Sequence, residues 1–211
     1  MQFDFIDFLN FYARPFRAKF QPIKVWNDLD KCAGNPDALK FYMRKWRTVV
    51  DFIEDSDPEM LPTSGGEFDS LDNRIYLHVF STKFKRLKAN SKDWMTLKFS
   101  IIQTMMHELI HMAQYDRRGG DDAKSFRYVV TGKEDLDMFR QYLSNADEIS
   151  AYAHDVFFES KSFGIPWQET ITYETFSGYF DNDFSNPAMR KVVKEIIRWQ
   201  ERYEKVKYII H

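Results

Sequence analysis

The sequence predicts an α+β domain, rich in helix and with a small sheet. Three features carry that expectation. Two helix starts share an Asn-Pro signature, at Asn35-Pro36 and at Asn186-Pro187. A long apolar stretch from Lys92 to about Tyr115 is poor in proline and glycine, as a buried central helix requires. One run alternates, with Ile75, Leu77 and Val79 facing one way and Tyr76, His78 and Phe80 the other.

Taken in order, Phe3, Ile6, Phe8, Leu9 and Phe11 suggest an amphipathic opening helix that stops before Pro15, because a residue preceding proline is pushed out of the helical region. The acids within this stretch and the lack of a small-residue cleavage site argue against a signal peptide or a membrane span, so a cytoplasmic location is expected. The next helix starts at the Asn35 cap and can run to about Glu54. Beyond it, Gly65-Gly66 ahead of Glu67-Phe68 suggests a short strand pairing with the alternating run at 74–80. After the central helix, residues 116–135 are polar and glycine-punctuated at their start and read as a loop. Asn145 caps a further helix, and Val192, Val193, Ile196, Ile197 and Trp199 carry a long C-terminal one. The whole, 1–211, is expected to be a single domain with its core at about 60–160, flanked by helical parts at 1–55 and 165–211.

Composition narrows the chemistry. With 30 Lys+Arg against 32 Asp+Glu, the overall field gives no reason to expect nucleic acid or a membrane surface as a partner. Cys32 is the only cysteine, which excludes an intramolecular disulfide framework, a zinc ribbon and any multi-cysteine cluster. Any metal must therefore be held by histidines and carboxylates. Cys32 itself is expected to be a small buried hydrophobe rather than a switch residue.

Such ligands occur at His107-Glu108-Leu109-Ile110-His111. On a helix, residues i and i+4 lie one turn apart on the same face, so His107 and His111 can direct ring nitrogens at one ion. Glu108 sits roughly 100° around and can reach a water on that ion without taking a ligand position. The bland reading is a buried helix with ordinary core histidines. Zinc of the catalytic kind wants three protein ligands and an open position. Glu148, near the start of the Asn145-capped helix, is the candidate third ligand, with Asp147 and His154 as alternatives.

These residues resemble a family. His107-Glu108-x-x-His111, followed 37 positions after the second histidine by Glu148-Ile149-Ser150-Ala151, is similar to the gluzincin branch of the zincin metallopeptidases, H-E-x-x-H then E-x-x-A. The same stretch resembles small metallopeptidase-like proteins of bacteriophage genomes, and the likeness covers about residues 74–160. It implies a zincin-like domain with an active-site helix and a glutamate helix, a Zn²⁺ cofactor, and hydrolysis of a peptide or protein substrate with Glu108 as general base and acid. In that family a strand lines the substrate cleft, a place the run at 74–80 could fill. Two departures are clear: there is no His-x-x-Gly-x-x-His extension, as in metzincins, and no cysteine ribbon.

A tetrahedral oxyanion beside zinc is usually steadied by a Tyr or His donor. Tyr142, Tyr152 and His154 are near Glu148 in sequence, with His154 or Tyr152 preferred. Asp155, seven residues after Glu148, could hold a ligand histidine from behind, or be a plain helix-surface acid. The rival reading is a catalytically silent zinc fold serving as a phage structural or assembly component, in the host cytoplasm or the virion. An intact Glu108 favours the enzyme.

Overall fold

A computed structural model describes residues 21–53, 61–81, 83–120 and 136–210, with side chains through Lys205. The proposed opening helix at Phe3–Phe11 and most of the loop at 116–135 lie outside the described residues. The rest is helix-rich with a small sheet, as the α+β expectation required. The chain divides into two compact units, Met1–Met112 and Ala113–His211. The division falls within one continuous helix.

In the first unit, α1 (Pro22–Leu29) and α2 (Pro36–Arg44) precede β1 (Thr48–Ile53), β2 (Thr63–Asp69) and β3 (Arg74–Phe80). Asn35 caps α2 as expected, its side chain accepting from the Ala38 N–H at 3.0 Å. The helix then ends ten residues sooner than the sequence suggested, at Arg44 rather than about Glu54. Arg47 adopts a left-handed backbone, φ 54°, and the β-branched run Thr48-Val49-Val50 continues as a strand. β-Branched side chains favour a pleated, half-buried surface over a helix, and here a sheet edge was waiting for them.

The sheet order is β1-β3-β2. β2 runs antiparallel to β3, with Gly66 opposite Leu77, and β1 runs parallel to β3, with Val50 opposite Leu77. Thus the alternating run at 74–80 is the central strand, and the glycine-bearing β2 is an edge. Ile75, Leu77 and Val79 are fully buried. From β1 a chain of rings, Phe52 to Phe84 at 4.8 Å and Phe84 to Trp94 at 6.0 Å, leads to the long helix α3 (Lys92–Arg117). Its buried residues include Leu97, Ile101, Ile102, Met105, Met106, Leu109 and Ile110, which cover much of its circumference. Lys98 is buried with them, paired with Asp30 and stacked over the Trp26 ring at 3.8 Å, and this fastens α1 to α3.

The second unit contains α4 (Leu136–Leu143), α5 (Ala146–Phe163), α6 (Ile171–Tyr179) and α7 (Pro187–Ile210). Ile149, Ala153 and Val156 of α5, Phe176 of α6 and Met189, Val192 and Ile196 of α7 share one apolar cluster. Both expected caps are present: Asn145 accepts from the Asp147 N–H at 2.9 Å, and Asn186 accepts from the Ala188 N–H at 2.8 Å. Gly164 closes α5 in the left-handed conformation, φ 67°, the usual way for a helix to end.

Candidate metal centre

Helix α3 carries two stripes with different tasks. Ser100, Thr104 and Glu108, spaced by four, form the first. It faces β2. The Ser64 N–H donates to Ser100 Oγ at 2.8 Å, Ser64 Oγ lies 2.9 Å from Ser100 Oγ and 3.0 Å from Thr104 Oγ1, and Thr104 Oγ1 also donates to the Ser64 carbonyl at 3.3 Å. Because the Ser64 main chain turns to the helix rather than to β3, the even residues of β2 direct their backbone groups away from β3. Gly66 is the next of these.

Gly66 permits the close approach. A Cβ there would stand 2.7 Å from Thr104 Cγ2, 3.0 Å from the Tyr76 carbonyl oxygen and 3.2 Å from Glu108 Cγ. The missing side chain is therefore a matter of space: β2 can lie directly against the turn of α3 that holds Glu108. Glu108 is buried at 5 % exposure.

The second stripe comprises His107, His111 and Gln114 and is continued by Arg118 just past the helix end, at spacings of four, three and four. These offsets keep one helix face. The His107 and His111 rings lie 4.8 Å apart, centre to centre, at 70°. Further along, Gln114 Nε2 donates to the Asp147 carbonyl at 3.2 Å, and Arg118 Nη1 meets Asp147 Oδ2 at 2.5 Å. Asp147 precedes Glu148 in the first turn of α5, so these two contacts fix the helix start that carries Glu148.

His107, His111 and Glu148 are brought together, with ligand atoms of all three within 4.8 Å of one another. Tetrahedral zinc with bonds of about 2.1 Å has ligand atoms about 3.4 Å apart, within the 4.8 Å that spans these three. The donor set, two imidazoles and one carboxylate, suits zinc. Both histidines are half-buried and Glu148 is 6 % exposed. Of the alternative third ligands, Asp147 is engaged by Arg118 and belongs to no grouping of metal-ligating atoms among the described residues.

His154 is fully buried, its ring edge-on to Trp199 of α7 at 5.1 Å and Nδ1 3.7 Å from Asp155 Oδ1. Tyr152 packs on Phe176 of α6, with ring centres 5.4 Å apart, and Tyr142 stacks on Phe139 at 6.0 Å. All three side chains thus make packing contacts within the second unit. Asp155 is 7 % exposed and is not the surface acid of the bland reading. Cys32 is fully buried and its Sγ donates to the Asp28 carbonyl at 3.2 Å. Burial pushes the thiol up to about 12, so it is a small hydrophobe, as expected.

The sequence reading missed Ser64, Gly66, Ser100, Thr104, Gln114 and Arg118. For Gln114 and Arg118 a signal existed, since they continue the histidine stripe at helical spacing. Comparison with protein-family models, curated proteins and solved structures finds no match.

Proposed function

We propose that the protein is a zinc-dependent metallopeptidase. The observation that carries this reading is the convergence of His107, His111 and Glu148, with Glu108 one residue from the first ligand and buried beside an edge strand. A zinc ion held by the three would supply a Lewis acid and bring the pKa of a coordinated water to about 7. The chain's own residues then divide the remaining work. Glu108, on the α3 face next to β2, accepts the proton of the attacking water and delivers it to the leaving amine. Gly66 turns its N–H and C=O away from β3, where in this reading an extended peptide main chain pairs beside that carboxylate. Gln114 and Arg118 hold Asp147 and so position Glu148. Steadying of the oxyanion stays assigned to His154 or Tyr152, whose rings also pack on Trp199 and Phe176.

The test is metal content of the purified protein together with cleavage of a panel of unfolded proteins, for wild type and Glu108→Gln. Stoichiometric zinc in both and hydrolysis only in wild type is expected. A wild type that binds zinc and cleaves nothing, with a Glu108→Gln variant indistinguishable from it, would replace the enzyme by the silent zinc fold.

A further inference from the structure

The hydroxyls that join α3 to β2 occupy the backbone groups by which a strand edge receives another chain. Ser64 is bonded at both: its N–H donates to Ser100 Oγ at 2.8 Å, and its C=O accepts from Thr104 Oγ1 at 3.3 Å and from Ser100 Oγ at 3.5 Å. Thr63 Oγ1 and Ser64 Oγ hold the same two hydroxyls, 3.1 Å from Ser100 Oγ and 3.0 Å from Thr104 Oγ1 respectively. Two residues earlier stands Pro62, which is buried and has no N–H with which to pair. Helix side chains thus take the place of a further strand at Ser64, and the edge is closed from there back to Pro62.

Helix and strand run in step. Ser64 lies against Ser100 and Thr104, and the Cβ position of Gly66 lies against Thr104 and Glu108. Two residues of strand advance about 6.6 Å and four of helix about 6 Å, so β2 and α3 stay level and point the same way over these contacts. Glu108 therefore stands one helix turn past the last hydroxyl of the clamp, at the level of Gly66. Ser64 and Gly66 are both half-buried, so what closes the edge at Ser64 is its hydrogen bonding.

We propose that the substrate cleft is closed on the Ser64 side, and that the preferred substrate is an extended segment with no more than about two residues on that side of its scissile bond. This rests on the peptidase reading, in which Glu108 serves the scissile bond and a main chain pairs with Gly66. A chain paired at Gly66 brings its next pairing residue, two positions on, opposite Ser64, where the N–H is already taken by Ser100. It can continue in paired form only toward Asp69, where β2 ends. Ser100 and Thr104 then decide the length of substrate accepted rather than the rate of bond cleavage.

The probe is a peptide spanning the site cleaved best in the unfolded-protein panel, located by mass spectrometry and made with acetylated and amidated ends. Two series lengthen it one alanine at a time, on the N-terminal and on the C-terminal side of the scissile bond. kcat/KM is expected to rise about tenfold as one side grows, and to stop rising after about two residues on the other. Ser100→Ala with Thr104→Ala frees the Ser64 N–H and C=O, and should let the flat side rise as well, through KM, with zinc content unchanged. Ser100→Thr with Thr104→Ser keeps both hydroxyls and should keep the wild-type profile. The wild-type series decide even if the alanine pair does not fold. A gain that continues on both sides or stops on both in wild type, a flat side that stays flat in a folded alanine pair, or a hydroxyl-retaining pair that behaves like the alanine pair would overturn the proposal. Hydrolysis of nothing in the panel is a separate result: it sinks the peptidase reading and this proposal with it.

Discussion

Arg118 Nη1 meets Asp147 Oδ2 at 2.5 Å, on the same helix face as His111 and next in sequence to Glu148. This pair links the helix of the two histidines to the helix start that presents the carboxylate. Arg118→Met removes the contact without touching any proposed ligand. Metal affinity is expected to fall about 10- to 100-fold, measured by competition with a chromophoric chelator. The pair is partly exposed, so the melting temperature should move little. Unchanged affinity would show that Glu148 is positioned by other contacts.

Glu148→Ala should weaken metal binding far more than Asp147→Ala. Glu148 supplies a ligand atom in the proposed site, whereas Asp147 acts only through Arg118 and the helix start. Equal losses measured by the same competition would leave the third ligand unassigned.

Gly66→Ala should impair hydrolysis while zinc stays bound. The new methyl would meet Thr104, the Tyr76 carbonyl and Glu108 at 2.7, 3.0 and 3.2 Å, and it has to displace helix or strand. A stability loss of about 1–3 kcal/mol is expected from such overpacking, read by urea denaturation. Gly65→Ala is the control, since its Cβ would meet only the Phe80 ring, at 3.3 Å. If both variants behaved alike, closeness of β2 to Glu108 would not matter.

Lys98 and Asp30 should respond unequally to neutralisation. Lys98 is 1 % exposed and Asp30 52 % exposed at the side chain. Asp30→Asn leaves a buried ammonium with a weaker partner and should cost about 1–3 kcal/mol. Lys98→Met leaves only a half-exposed carboxylate and should cost less. The reverse ranking in thermal or urea unfolding would contradict this account.

Cys32 should resist thiol reagents at pH 8 in the native protein and react on unfolding. Its thiol is raised from 9.0 to about 12 by burial, with Asp28 adding to the shift. The folded state thus keeps a proton that the unfolded chain loses first. This contribution to stability is complete below pH 9 and declines as pH rises toward about 12. Native labelling at pH 8 as fast as in urea would show that the site opens readily.

Much of the helical frame and the spacing of the two histidines was legible because both are local. Asn35, Asn145 and Asn186 announce their helices through hydrogen bonds spanning two or three residues. The i, i+4 histidines depend on nothing beyond helix pitch. What the sequence hid is long-range. The Thr48-Val49-Val50 run lies directly behind a well-capped helix, and only a partner strand 27 positions on, Thr48 against Ile75, makes it a strand. Likewise Ser100 and Thr104 look like ordinary helix-surface hydroxyls until Ser64 is placed across from them. Gly66 reads as a turn residue, yet it sits inside a strand because a helix passes too close for any side chain.

The two stripes on α3 also set a rule about chain length. One alanine inserted between Met105 and Met106 would leave Ser100 and Thr104 against β2, but would carry Glu108, His107, His111 and Arg118 about 100° around the axis and 1.5 Å along it. Glu108 would leave the strand, and Arg118 would leave Asp147 unless the strand contacts gave way instead. Either way, one set of contacts is lost although every original side chain is still present. The count of residues between Thr104 and Arg118, more than the identity of those that fill it, keeps Glu108, His107 and His111 in a common frame.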